Sequence, residues 1–228
     1  MLVRPDGDGA LCIGQTSHSW ISGQMARAWA APFDHREEVC LAAELHDIGM
    51  AEWDLAPTLN PETGLPHSFT EMPFSVHAAL WLAAPKMLVT TSVRAAALVS
   101  LHGTRLYELR NRTSEVDSFL GAQEEFRRGL GFARDDLEPA STLLWTWDYL
   151  SLAALLGWKG EVQGLSVDGA RIEPWPFRAE SPLTVRCEAR RLTRRFTDEG
   201  EMRAALSAAP AEPVVVELTG GATRSGER

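Results

Sequence analysis

The sequence predicts a mainly α-helical bundle carrying a small N-terminal hairpin and a small C-terminal antiparallel β element. Three observations carry that reading. Apolar residues recur at near-helical spacing in successive segments between Thr16 and Leu156. The first thirteen residues read as two short strands around an Asp-Gly turn. Past Gly157 the pattern shifts to proline punctuation and period-two alternation. Residues 1–157 are accordingly read as a helical domain with its hairpin, and 158–228 as a small β-containing extension packed on the same domain.

Taken in order, Leu2 to Ile13 forms the hairpin because Asp6, Gly7, Asp8 and Gly9 tolerate the positive φ of a tight turn. Thr16 or Ser17 caps a helix through Trp20, Ile21, Met25 and Trp29, stopped by Pro32. Val39, Cys40, Ala43, Leu45 and Ile48 mark a helix from Arg36 to Gly49, with Gly49 as its terminator. Four prolines between Trp53 and Pro73 predict an ordered loop across one face. Two helices follow, Phe74–Ala84 and Met87–His102, separated near Pro85. Thr113 or Ser114 opens a polar helix to about Leu130, and Glu138–Leu156 is the most apolar helix. The extension contributes Glu173–Phe177, the alternating Leu183–Ala189, a helix over Asp198–Ala208 and the β-branched run Val214–Leu218, with a frayed tail from Gly220.

The formal charge is −9, and only Lys86 and Lys159 are lysines. That balance argues against a nucleic-acid-coating surface or an anionic membrane partner, while leaving room for a local arginine pocket that takes a small anion. Cys12, Cys40 and Cys187 are odd in number and form no Cys-x-x-Cys pair, which fits a reduced, cytoplasmic setting. The N-terminus lacks the apolar core of a signal peptide, and no apolar run approaches the ~20 residues that span a bilayer.

The chemistry concentrates in His18, the adjacent pair His46 and Asp47, His77, His102 and Asp148, which fall on five predicted helices among core residues. Read singly, a histidine on an apolar face is usually a hydrogen-bonded core residue, and a buried aspartate a cap or an arginine partner. Read together they point elsewhere. Asp47 at an apolar helix end and Asp148 between Trp147 and Tyr149 have no lysine or arginine within a helical turn, so each would be costly as a bare buried charge. A bound cation offsets both, and imidazole with carboxylate is the ligand set of iron, manganese, cobalt or zinc. Six protein ligands exceed what one catalytic ion with an open position uses, and a carboxylate such as Asp47 can bridge two. Two divalent ions are therefore expected, with iron or manganese foremost and zinc, cobalt or nickel also compatible.

In the order His, His-Asp, His, His, Asp, with Leu45-His46-Asp47-Ile48-Gly49 at its centre, the chain resembles the dinuclear form of the HD-domain superfamily over residues 16–156. The resemblance implies an HD-domain-like helical bundle. It also implies that His18, His46, Asp47 and Asp148 hold one metal, and His77, His102 and bridging Asp47 the other. Glu44-Leu45-His46-Asp47, Glu52-Trp53-Asp54, Glu71-Met72-Pro73, Ser100-Leu101-His102-Gly103-Thr104 and Trp147-Asp148 are similar to a bacterial HD-like family of unknown function. Many HD proteins have lysine where this chain has Met50, which removes one expected anion contact.

The activity most common among such proteins is metal-dependent hydrolysis of a phosphoester or phosphoanhydride, here of a small molecule or nucleotide. Arg105 would then orient the phosphate, with Asp54 or Glu71 as an accessory base, Arg110 being the other arginine that could substitute for the missing lysine. The six-ligand set is also similar to that of myo-inositol oxygenase, whose mixed-valence diiron pair activates oxygen. Trp20, Trp53, Trp145 and Trp147 could line a dry pocket for that chemistry. A catalytically silent, metal-bound sensor or interaction module is the third reading. The arginine pairs Arg190-Arg191 and Arg194-Arg195 read as a solvated face.

Overall fold

A computed structural model describes residues 1–220. It corrects the expectation of a mainly α-helical bundle: the fold is mixed α and β, because strands from both ends of the chain join in a seven-stranded sheet. The N-terminal hairpin, β1 (Leu2–Asp6) and β2 (Gly9–Ile13), forms around Gly7 as the sequence predicts. It does not stand alone. β2 pairs antiparallel with β8 (Leu183–Leu192), and β8 with β9 (Ala211–Gly220).

After Gly157 three short strands, β5 (Lys159–Val162), β6 (Leu165–Asp168) and β7 (Arg171–Glu173), form an antiparallel meander. β7 then pairs in parallel with β9 and completes the order β1-β2-β8-β9-β7-β6-β5. The β5–β6 connection is the two-residue turn Gln163-Gly164, both at positive φ, which matches the right-handed twist of a hairpin. The helix expected over Asp198–Ala208 is α8 (Glu199–Ala208 in this numbering), capped by Asp198, whose side chain accepts from the Glu201 N–H at 2.8 Å. The tail expected beyond Gly220 lies outside the described residues.

Strand β2 shows why the sheet is central. All five of its residues are buried, since Leu11 and Ile13 enter the main core while Ala10 and Cys12 enter a second one. The main core is shared with the helices, and the second contains Leu192, Met202 and Leu206 beneath α8. The paired arginines are taken up by this layer: Arg191 meets Asp6 and Glu212, and Arg194 meets Glu201 at 3.0 Å.

The remaining helices are α1 (Gln15–Ala28), α2 (Arg36–Leu45), α3 (Ala51–Leu55), α4 (Phe74–Leu88), α5 (Val93–Glu108), α6 (Ser114–Gly129) and α7 (Arg134–Leu156). None of the described helices is long and apolar enough to cross a membrane. The proline-rich loop holds α3, a two-stranded ribbon of β3 (Leu59–Asn60) and β4 (Leu65–Pro66), and a 3-10 turn over Phe69–Glu71. Helix α2 stops at Leu45, earlier than expected, and a 3-10 turn over Ile48–Met50 follows. Gly49 is there for space rather than as a left-handed cap: a Cβ would sit 2.5 Å from the Leu80 carbonyl oxygen and 2.8 Å from Ala84 Cβ.

Helix α4 runs through Pro85, where the sequence predicts a break. Proline lacks the N–H that would bond the carbonyl of residue 81, four positions earlier. The Trp81 carbonyl instead accepts from Gln123 Nε2 on α6 at 2.9 Å, so tertiary structure supplies the missing donor. Gln123 is buried, and Gln123→Leu should cost about 1–3 kcal/mol by stranding that carbonyl. Urea denaturation should show a lower midpoint with an unchanged slope, and an unchanged midpoint would remove this account of α4.

Candidate metal centre

Five elements converge on one buried point. His18 lies in the first turn of α1, His77 in the first turns of α4, His102 in α5 and Asp148 in the middle of α7. His46 and Asp47 occupy the bend between α2 and the following 3-10 turn. Asp47 sits at φ −98°, ψ 17°, the bridge region, which lets two consecutive side chains reach one place.

The contacts are close. His18 Nε2 is 2.7 Å from Asp47 Oδ2 and 3.8 Å from Asp148 Oδ1. His46 Nε2 is 3.5 Å from Asp47 Oδ2 and 3.4 Å from Asp148 Oδ1, and His102 Nε2 is 3.3 Å from Asp148 Oδ2. Ligand atoms of His18, His46 and Asp148 all lie within 4.8 Å of one another, so this triad could hold a metal ion.

Hydrogen bonding behind the rings fixes how they face the cluster. The Ala43 carbonyl can only accept, so His46 Nδ1 at 2.9 Å carries a proton, and Nε2 is the ring nitrogen turned toward the carboxylates. His18 Nε2 faces Asp47 Oδ2 at 2.7 Å and donates to that carboxylate oxygen, which can only accept. Behind the ring, His18 Nδ1 is 2.8 Å from the Ser151 hydroxyl, which lies 2.9 Å from the Asp148 carbonyl. Such outward-facing partners are the supports that orient metal-ligating histidines.

No lysine or arginine pairs with Asp47 or Asp148 among the described residues, although Asp47 is only 4% exposed and Asp148 9%. Burial alone would raise the Asp148 carboxyl, but the facing His102 and His46 rings hold it well below the usual range. Asp47 is likewise lowered, against its burial, by His46 and His18. Burial would depress His46, yet the charges of Asp47 and Asp148 push it up to about 9. Burial wins at His102, which is lowered. A proton on His46 is thus the counter-charge in the metal-free protein. It is an incomplete one, since the buried His46 Nε2 and His102 Nδ1 make no hydrogen bond. A divalent cation suits this donor set better: it would replace the ring protons facing the cluster and offset two carboxylates that have no lysine or arginine partner.

His77 stands apart in its bonding, although it lines the same cavity of about 250 Å³. Its Nε2 accepts from the Trp81 indole N–H at 3.2 Å, and its Nδ1 is 2.7 Å from the Tyr107 hydroxyl. Burial, with the Arg110 charge, lowers it to about 4. Arg110 lines the cavity and lies over the Tyr107 ring at 5.0 Å. Arg105 does not line it: its guanidinium is held by Glu138 and by Thr142 Oγ1. Asp54 faces a different cavity beside Cys12 and Leu206, where it meets the Met1 amino group at 2.7 Å and the Gln15 N–H at 2.5 Å. Glu71 accepts from the Ser68 N–H at 2.7 Å and from Asn60 Nδ2 at 2.9 Å, bracing the turn that carries Phe69 and Thr70 to the cavity.

None of Trp20, Trp53, Trp145 and Trp147 lines the cavity, whereas Trp81 does. Trp147 packs instead on Trp29 and Phe33. Sequence reading also missed Gln15, buried at the cavity with an unpaired Oε1, and the supporting Tyr107 and Ser151. Gln15 and Ser151 each lie one helical turn from a named residue, His18 and Asp148, and that spacing was the available signal. The three cysteines are buried and free, and burial pushes Cys12 up to about 12 and Cys187 up to about 11, so neither supplies a thiolate.

Residues 1–194 match the family model described as protein of unknown function, DUF3891. The chain belongs to this family. No curated protein and no solved structure gives a significant match. In this DUF3891 member the match includes every residue of the cluster and ends just after β8, so α8 and β9 fall outside it.

Metal binding must displace the His46 proton. Calorimetric titration with manganese in two buffers of different ionisation enthalpy should show about one proton released per ion near neutral pH. Because the His46 value lies near 9, apparent affinity should fall about tenfold for each unit that pH drops below it. Affinity independent of pH would contradict this assignment.

Proposed function

We propose that this chain is a metal-dependent phosphohydrolase acting on a small phosphorylated molecule, with two divalent ions of iron or manganese. The observation that supports it best is the convergence of inward-facing imidazoles and two carboxylates without a lysine or arginine partner on a cavity whose rim carries a cation, Arg110. The ligand order His, His-Asp, His, His, Asp, which resembles HD-domain proteins, favours the same reading. The resemblance concerns that order and not the whole fold.

In this reading His18, His46, Asp47 and Asp148 hold one ion, and Asp47, His77 and His102 the other. His77 can join only if the Trp81 N–H gives up its Nε2. The bound ions would lower the pKa of a coordinated water toward ~7 and offset charge on the phosphoryl oxygens. Arg110 replaces the lysine absent at Met50, drawing the substrate anion to the cavity mouth. Met50, Trp81 and Leu152 form apolar walls that keep the electrostatics strong by limiting water. A volume of about 250 Å³ suits a compact substrate. Of the tryptophans expected to enclose the site for oxygen activation, Trp145 packs on the His102 ring at 5.5 Å, while none of the four lines the cavity.

Manganese-loaded protein under argon should release phosphate steadily from at least one member of a small phosphoester panel. Arg110→Ala should raise KM about tenfold or more with little change in kcat, as for lost substrate binding. Oxygen consumption by iron-loaded protein, without phosphate release from any phosphoester, would contradict the proposal.

A further inference from the structure

A second polar centre lies on the same helix α5, beyond the metal cavity. Arg127 on α6 is only 4% exposed, and no carboxylate pairs with it among the described residues. Its Nη1 donates to Ser100 Oγ at 3.0 Å and to Thr104 Oγ1 at 2.7 Å, both neutral acceptors. Its Nη2 and Nε make no hydrogen bond among the described residues. A buried guanidinium normally sits against a carboxylate, because an uncompensated charge in the interior is expensive.

This cation borders a cavity of about 840 Å³ between α5, α6 and the start of α7. Two arginines of its lining are already neutralised: Arg134 is bidentate to Glu108, and Arg112 meets Asp117 at 2.5 Å. What remains is Arg127 and the exposed Arg128 against Glu124 alone. The link between α6 and α7 closes one side through Gly131 and Ala133, the Ala133 N–H being bonded to Asp136 at 3.0 Å. Leu120 and Phe132 supply apolar surface beside these charges.

We infer that this cavity is an anion site for a phosphorylated small molecule, separate from the metal centre. The phosphate is held by Arg127 and Arg128, and the body of the ligand lies over Leu120 and Phe132. Arginine is the residue suited to bidentate phosphate recognition. The Arg127 fork is set in advance by a buried chain of bonds in which Ser100 Oγ donates to Gln123 Oε1 at 2.6 Å and Thr104 Oγ1 to the Ser100 carbonyl at 3.0 Å. The cavity is far larger than a phosphate ion, which is why an organic phosphate is the expected occupant.

The test is a titration of metal-stripped, full-length protein with inorganic phosphate and, separately, glycerol phosphate at constant ionic strength, read by amide NMR. Saturable shifts are expected at Arg128, Gly131 and Ala133, with His18 and His46 unmoved. Tighter binding of glycerol phosphate assigns the site to an organic phosphate, and equal binding assigns it to the free ion. Arg128→Glu, a surface change that leaves the buried network intact, should weaken binding at least tenfold, as should Arg127→Met if it folds. Shifts that never saturate, shifts centred on His46 and His102, or full affinity in Arg128→Glu would overturn the proposal.

Discussion

Two carboxylates buried without a basic side chain are the constraint around which this protein is organised. Asp47 and Asp148 come from a bend after α2 and from the middle of α7, elements that nothing in the sequence order brings together. An ionised carboxylate removed from water costs several kcal/mol even after relaxation, so the fold must supply compensating charge at that point. It supplies three histidines around the pair, two of them with their outer nitrogens committed to Ala43 and Ser151. The same geometry that repairs the electrostatics therefore leaves a ready-made donor set for a divalent ion.

The surrounding packing holds those elements at close range. Gly49 admits α4 against the bend, with no room for a methyl group. Gln123 satisfies the carbonyl that Pro85 leaves open, so α4 remains one helix from His77 to beyond Trp81. Trp81 then contributes twice, its carbonyl to that bond and its indole N–H to His77. Through Gln123, Ser100 and Arg127 the bonds continue to the arginine-lined cavity, so α5 carries polar groups toward two separate pockets.

Much of the local structure was legible in the sequence. The Asp-Gly hairpin, the Thr113 cap, the helix beginning near Asp198 and the ordering of histidines and aspartates along the chain depend on near neighbours. What depends on distant partners was not legible. The union of β2 with β8 is set by tertiary pairing, and the arginines at 190 and 191 disguise a strand because one face of it meets acidic partners. Pro85 reads as a break until Gln123 is known to stand opposite the Trp81 carbonyl. Arg105, three residues after His102, is the anion contact that spacing favours, and only its bonds to Glu138 and Thr142 turn it away from the cavity that Arg110 lines. Short strands such as β5 and β7 bury too little alternating surface to announce themselves, and Gln163 at positive φ is an unusual turn residue.

The central claim is that the buried cluster holds metal, and anomalous diffraction from crystals of manganese-loaded protein tests it most directly. The account predicts an anomalous peak at coordination distance, roughly 2.0–2.3 Å, from His18 Nε2, His46 Nε2 and an Asp148 oxygen. A peak elsewhere, or none with the histidines still bonded to the two carboxylates, would contradict it.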